Sequence, residues 1–397
     1  MRNQALEPGT ARQRLGPLLF LAGIFFVAFV GRVSLSPLLP NIESGLGLSH
    51  AQAGGLFLAM ALGYFTAVFG AGLVSQRLTY WGTILLSSLA AGAVLMATPL
   101  VTGRWSMNLL CLALGLAAGL YLPSGMAALT SFVRPGDWGK AVAVHELAPN
   151  GAMMAAPLVA ELLLEGLSWR GVMFLIGAAS LTLGLLYSRW GRGGELPGHP
   201  PNLAALGELL KIPAVWLMIL FFSMAIGASL GIYTMLPLYL VSEKGVDQAW
   251  ANLLVGLSRA PGIAMAFVAG WAHDRFGPRA TLVSVFLVTG AATLVMGLGS
   301  GGWLVAAIFT QPTIAVCFFP VGFAALSGAV PPHLRGVAVS LCTPLAFIFG
   351  GGVLPTFIGW MGEHQGFGLG IAICGLFFLS GSALTLLLKP GAPQATN

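Results

Sequence analysis

Charge is scarce in this sequence. Of 397 residues, only 8% are Asp, Glu, Lys or Arg, against roughly 25% in a soluble globular protein. With 18 basic and 12 acidic side chains, the chain cannot cover a soluble surface of its size. Soluble enzyme, nucleic-acid binder and disordered scaffold are all excluded on that ground. Cysteine is also rare. Cys111, Cys317, Cys342 and Cys374 each sit in an apolar run with no CxxC spacing, which points to small packing residues rather than a metal site or disulfides. No P-loop, no dinucleotide fingerprint, no HExxH and no Ser/His/Asp constellation occurs. No cofactor is expected, no enzymatic activity is expected, and any work must run on solute or ion gradients rather than on ATP.

What the sequence has instead is apolar length. Residues AVILMFWYC make up 57% of the chain, with 55 Gly and 24 Phe, a composition typical of membrane helices. About 20 apolar residues cross a hydrocarbon core of ~30 Å. Twelve such segments are predicted, at roughly 16–40, 51–73, 82–103, 106–133, 140–164, 171–190, 213–241, 249–272, 280–299, 302–330, 336–361 and 367–388. The basic start (Arg2, Arg12, Arg14) precedes a long run without a cleavage site, so this run is read as a retained first helix. An all-α polytopic membrane protein is therefore expected, with a first six-helix half at 1–190, a cytoplasmic linker at 191–212 and a second half at 213–397. With the N-terminus inside, thirteen basic residues fall on the cytoplasmic side (Arg2, Arg12, Arg14, Arg77, Arg134, Lys140, Arg189, Arg192, Lys211, Arg275, Arg279, Arg335 and Lys389). Only Arg104, Arg170 and Lys244 fall outside. That asymmetry places both termini in the cytoplasm and the chain in a cell inner membrane.

The two halves repeat one another. At an offset of 197, Pro123, Gly125, Ala127, Ala128, Leu129, Val133, Pro135, Gly139, Ala141 and Val142 fall on Pro320, Gly322, Ala324, Ala325, Leu326, Val330, Pro332, Gly336, Ala338 and Val339. At 198, Gly72 and Arg77 fall on Gly270 and Arg275. Parallel repeats of this kind are an architecture of secondary transporters, with the substrate site between them at mid-depth. A duplicated bundle without transport, such as a membrane assembly factor, is the alternative of another class.

The turn Gly270-Trp271-Ala272-His273-Asp274-Arg275-Phe276-Gly277-Pro278-Arg279 resembles the loop signature of the major facilitator superfamily. The first-half copy, Gly72 to Thr79, has Gln76 where the acidic residue would stand. The resemblance implies twelve helices in two pseudo-symmetric halves and transport by alternating access. It also implies that helices 1, 2, 4, 5, 7, 8, 10 and 11 line a central pathway. It gives Asp274, with Arg275 and Arg279, a gating role, with Asp274 docking on the start of helix 5 near Gly139 and Lys140. The run Arg32 to Pro40 looks like that of anion permeases, and the helix-8 arginine like that of carboxylate carriers.

Ionisable groups inside the bilayer cost several kcal/mol unless paired or facing a wet pathway. Arg32 on helix 1 and Arg259 on helix 8 are the leading substrate contacts, one from each half, because guanidinium forks suit carboxylate oxygens. Tyr64, Tyr121, Asn150, Tyr233 and Gln311 are further candidates for the lining. Glu146 either pairs with Arg259 or carries a proton, and adjacent His145 is a second titratable candidate. Glu161, near the outer end of helix 5, is read as structural. The expected cargo is a small anion, an organic carboxylate, moved by proton symport or exchange for a counter-anion. A proton-coupled drug exporter is the alternative, and Arg32 argues against cationic cargo. The expected surroundings are lipid, without nucleic acid, and a monomer suffices.

Overall fold

The computed structural model describes residues 7–200 and 202–387, so Arg2 and Lys389 lie outside the described residues. Ten helical stretches among these residues are long and apolar enough to cross a membrane. Two of the helices carry a non-helical residue inside, Thr79 at φ 63 in His50–Met96 and Gly277 at φ 81 in Ala260–Leu298. Each of these turns the chain back, which resolves the helices into twelve membrane passes. They are α1 (Leu15–Leu46), α2 (50–78), α3 (80–96), α4 (Arg104–Phe132), α5 (Trp138–Leu164), α6 (Trp169–Trp190), α7 (Pro213–Ser242), α8 (248–276), α9 (278–298), α10 (Gly301–Ala329), α11 (335–364) and α12 (Phe367–Leu387). Helices α2 and α8 run several residues past the predicted ends, because no breaker precedes the two reversals.

The repeat extends to the irregularities. Thr79 and Gly277 stand at the 198-residue offset. Helix α4 breaks at Leu120 and α10 at Val316–Cys317, three to four residues before Pro123 and Pro320. Proline has no N–H for the carbonyl four residues back, and its ring crowds that carbonyl. The same chemistry interrupts α1 at Ser34, ahead of Pro37, and α8 at Ser258–Arg259, ahead of Pro261. The first half therefore has a threonine where its counterpart has the glycine that a left-handed backbone favours. Thr79→Gly is expected to stabilise the protein by about 1 kcal/mol. A lower thermal midpoint for the variant would count against strain at this turn.

Apolar side chains of both halves merge into one large core. A second, smaller cluster of Leu18, Leu21, Ile24, Tyr121, Phe132 and Tyr187 fills the first bundle near the N-terminus. The bundles approach most closely where α2 meets α11. A Cβ on Gly54 would lie 2.5 Å from the Pro355 carbonyl oxygen, and one on Gly352 would lie 2.9 Å from Ala61 Cβ. Gly352, in the run Gly350-Gly351-Gly352, thus permits close helix approach, and Gly54 completes it from the other side. The N-terminal segment docks on the first bundle, with the Arg134 backbone N–H donating to the Gly9 carbonyl at 2.9 Å. From 191, the linker crosses the ends of α2 and α3, where Trp81 and Tyr80 donate to the carbonyls of Gly194 and Leu196.

Candidate functional site

Both intramembrane arginines lie next to a proline-induced break, on helix segments that touch the opposite bundle. Arg32 ends the first segment of α1 and is 8% exposed. Its guanidinium lies over three rings, at 4.3 Å from Phe29, 5.0 Å from Tyr64 and 5.3 Å from Phe347. Phe29 and Tyr64 belong to the first bundle and Phe347 to α11 of the second. Arg259 lies in the interruption of α8, with its guanidinium 4.6 Å from the Tyr233 ring. The Tyr233 hydroxyl donates to the Met153 carbonyl of α5 at 3.0 Å, so this arginine too is held at the seam.

Neither guanidinium has a carboxylate partner among the described residues. Each has its Nε buried without a hydrogen-bond partner. Aromatic faces stabilise a cation by about 2 kcal/mol when desolvated, but they leave each Nε–H unsatisfied. Two cations so placed have unused capacity for a ligand that brings oxygen acceptors and negative charge.

Of the two readings of Glu146, the pair with Arg259 does not occur among the described residues. Glu146 Oε1 instead lies 3.4 Å from His145 Nδ1. His145 is fully buried, stacked 4.7 Å from Phe25, with Nε2 3.2 Å from the Tyr121 hydroxyl. Tyr121 in turn donates to the Leu21 carbonyl at 2.6 Å. Tyr121 thus belongs to a cluster within the first bundle rather than beside Arg32. Asn150 donates to the Glu146 carbonyl at 2.8 Å, bridging the helix turn that Pro149 weakens. Gln311, 1% exposed, donates to the Ala228 carbonyl at 2.8 Å inside the second bundle.

Side-chain hydrogen bonds joining the bundles gather at the end opposite the termini and linker. Ser36 Oγ donates to the Tyr233 carbonyl at 2.8 Å, and Gln248 Nε2 donates to the Pro37 carbonyl at 3.2 Å and also to Asn41 Oδ1. Asn252 Nδ2 donates to Glu161 Oε2 at 2.8 Å. Glu161, read from the sequence as structural, therefore has a partner in the other half. Asn41, Gln248 and Asn252 were not singled out from the sequence. Their signal was polarity at one-turn spacing near helix ends, which resembles ordinary solvated termini. A crevice of about 480 Å³ outside this seal includes Glu161 and Asp247 and no cation, the wrong sign for an anion.

At the opposite end, Asp274 and Arg275 are exposed. Arg279 donates to the Leu386 carbonyl at 2.9 Å, at the end of α12, where a cation suits the helix dipole. The start of α5 already holds a carboxylate: Asp137 bonds Lys140 at 2.8 Å and accepts from the Ala11 N–H at 3.4 Å. Among the described residues, no hydrogen bond or ion pair joins Asp274 to that helix start.

Two bundles of six helices, repeated in detail and meeting at a seam with two arginines whose Nε donors are buried and unpartnered, define a secondary-transporter architecture. The Major Facilitator Superfamily profile matches residues 21–345, and the chain belongs to that family. It is a multi-pass membrane transporter, not an enzyme. It is similar to the probable sulfoacetate transporter SauU of Cupriavidus necator, 23% identical over 92% of each chain. It is also similar to monocarboxylate transporter 11 of Mus musculus, 30% identical over 91% of this chain and 84% of the other. Among solved structures, a bacterial homologue of the lysosomal transporter Spinster, in an inward-facing and occupied conformation, superposes with a TM-score of 0.81. It is 16% identical and covers 97% of this chain and 98% of its own.

Proposed function

We propose that the protein carries a small organic carboxylate anion across a cell inner membrane by alternating access, with Arg32 and Arg259 clamping the anion between the halves. The observation that carries this reading is the pair of buried, unpartnered Nε donors, one from each bundle. Relatives named for sulfoacetate and monocarboxylate transport support it. Tyr64 and Tyr233 wall the clamp, while Asn150 and Gln311 shape the helix turns beside it.

Halves 1–190 and 213–397 rock about the anion, joined by the cytoplasmic linker 191–212. With the basic termini and linker in the cytoplasm, the seal of Ser36, Gln248 and Asn252 closes the outer face, and this conformation faces inward. Closing the inner face brings the exposed Asp274 and Arg275 towards α5, where Asp274 must share the helix start with Asp137. Transport is coupled to protons or to a counter-anion, and a single chain contains the whole pathway.

A thermal-shift screen of the purified protein tests the sign of the cargo. Sulfoacetate, lactate and galactonate are set against hydrophobic cations of similar size. A ligand present at about 100 times its Kd adds about 2.7 kcal/mol to the folded state, so a clear rise in melting temperature is expected with an anion. A rise confined to the cations would favour drug export instead.

A further inference from the structure

We propose that His145 and Glu146 form a proton-binding dyad that couples anion movement to the proton gradient, a role that rests on the anion-carrier reading. The hydrogen-bond inventory around His145 leads to this assignment. Tyr121 has one hydroxyl hydrogen, and the Leu21 carbonyl, 2.6 Å away, can only accept it. The hydroxyl oxygen therefore meets His145 Nε2, at 3.2 Å, as an acceptor, and Nε2 must carry a hydrogen. The tautomer follows from these neighbours rather than from visible hydrogens. Phe25, stacked at 4.7 Å, keeps the ring from turning.

Nδ1 then faces Glu146 Oε1 at 3.4 Å. Without another proton, a ring lone pair opposes a carboxylate lone pair. With one, the pair is satisfied either as imidazolium and carboxylate or as neutral imidazole and carboxylic acid. The dyad thus holds one exchangeable proton, and losing it changes the local charge from zero to −1 in either form. The contact is long for a hydrogen bond, so the proton is not locked in place. His145 is sealed, but the Glu146 side chain is 46% exposed, so the carboxylate is the member of the dyad open to exchange. Pro149 leaves the His145 carbonyl without its usual helical donor, so the backbone around the dyad can adjust as the proton leaves.

The groups around the dyad set the sign of the coupling. Tyr121 faces it from α4 and Tyr64 from α2, and Tyr187 of α6 lies beyond Tyr121. Arg32 of α1 packs on Tyr64. Arg259 begins the second segment of α8, whose first segment, 248–257, has no ionisable residue. Leu21 and Arg32 are eleven residues apart, or roughly 16 Å along α1, so the dyad lies on the terminus side of the clamp. An unloaded dyad adds a negative charge that faces Tyr64, the ring on which Arg32 packs, and so opposes an incoming anion. A loaded dyad does not. Anion and proton therefore favour each other's binding, and by linkage the effect is reciprocal. Symport follows, one proton per anion.

Infrared difference spectra of the purified full-length protein, from about pH 9 to about pH 5, read the carboxylic-acid and imidazolium bands without any substrate. The wild type is expected to take up a proton that Glu146→Gln does not. Uptake unchanged in that variant would overturn the dyad. Glu146 is half-exposed, so this variant should fold. Tyr121→Phe removes the acceptor for Nε2 and keeps the ring. It is expected to shift the midpoint of the titration without abolishing it, and an unmoved midpoint would remove Tyr121 from its positioning role.

Thermal-shift binding of sulfoacetate, lactate and galactonate over the same range then separates the two readings. Wild-type affinity should fall as pH rises through the dyad's titration, by up to about tenfold per pH unit, and Glu146→Gln should flatten that slope. Anion binding that is independent of pH in the wild type would defeat the coupling and leave the carrier reading intact. If none of the three anions binds at any pH, the carrier reading fails, and the infrared titration alone decides whether the dyad binds a proton.

Discussion

Arg259→Lys is expected to reduce uptake of the transported anion by roughly 30-fold or more while the protein stays folded and inserted. Losing one partner of a buried, hydrogen-bonded charge pair costs about 2–5 kcal/mol, and each 1.4 kcal/mol is tenfold in affinity. Lysine keeps the charge, so loss through charge alone is ruled out. What it lacks is the planar fork that can grip two oxygens at once. Arg32→Lys should behave similarly, because its guanidinium is also held flat against rings, with Phe29 at 4.3 Å. The measurement is initial uptake in proteoliposomes, with thermal unfolding in detergent as the control for folding. Uptake close to wild type in both variants would eliminate the clamp. An effect confined to Arg259 would leave Arg32 as a brace between α1 and α11.

The second large effect is expected at Gly54. A Cβ there would meet the Pro355 carbonyl oxygen at 2.5 Å. Because that contact lies between α2 and α11, the two bundles can each fold without it. Gly54→Val should therefore prevent closure of the end opposite the termini and abolish net uptake, yet retain anion binding in an outward-open state. Thiol labelling of a cysteine placed at Ser36, which is fully buried at the seal, reads this directly. Labelling should be low in the otherwise unaltered protein and high with Gly54→Val. Normal uptake in the Gly54 variant would show that this approach is not needed for turnover. Loss of binding together with uptake would mean that α2 and α11 also build the site.

Membrane class, helix number and the internal repeat were legible in the sequence. Each depends on local quantities: apolar length, sparse charge and identities at a fixed offset. The two reversals at Thr79 and Gly277 lie two residues beyond the matched arginines Arg77 and Arg275, so the repeat flagged the turns but not their residue positions. The arginines stood out because a fixed charge inside an apolar run is costly wherever it faces. Glu146 was legible as a charge but not as a partner. Pairing with Arg259 and proton carriage were equally open, because burial and neighbouring charge push in opposite directions and sequence order gives neither.

Sequence by itself determined the number of passes, the duplicated halves, and the two cations that each half must accommodate. Tertiary structure decided what those cations and their neighbours touch. It set Phe347 of α11 against Arg32 of α1, gave Glu161 to Asn252, and turned His145 into the first bundle between Phe25 and Tyr121. The physical reason is the range of the forces. Hydrophobic length and proline breaks act within a few residues of their cause. Hydrogen bonds and ring contacts act over a few ångströms of space, between residues that the fold alone brings together.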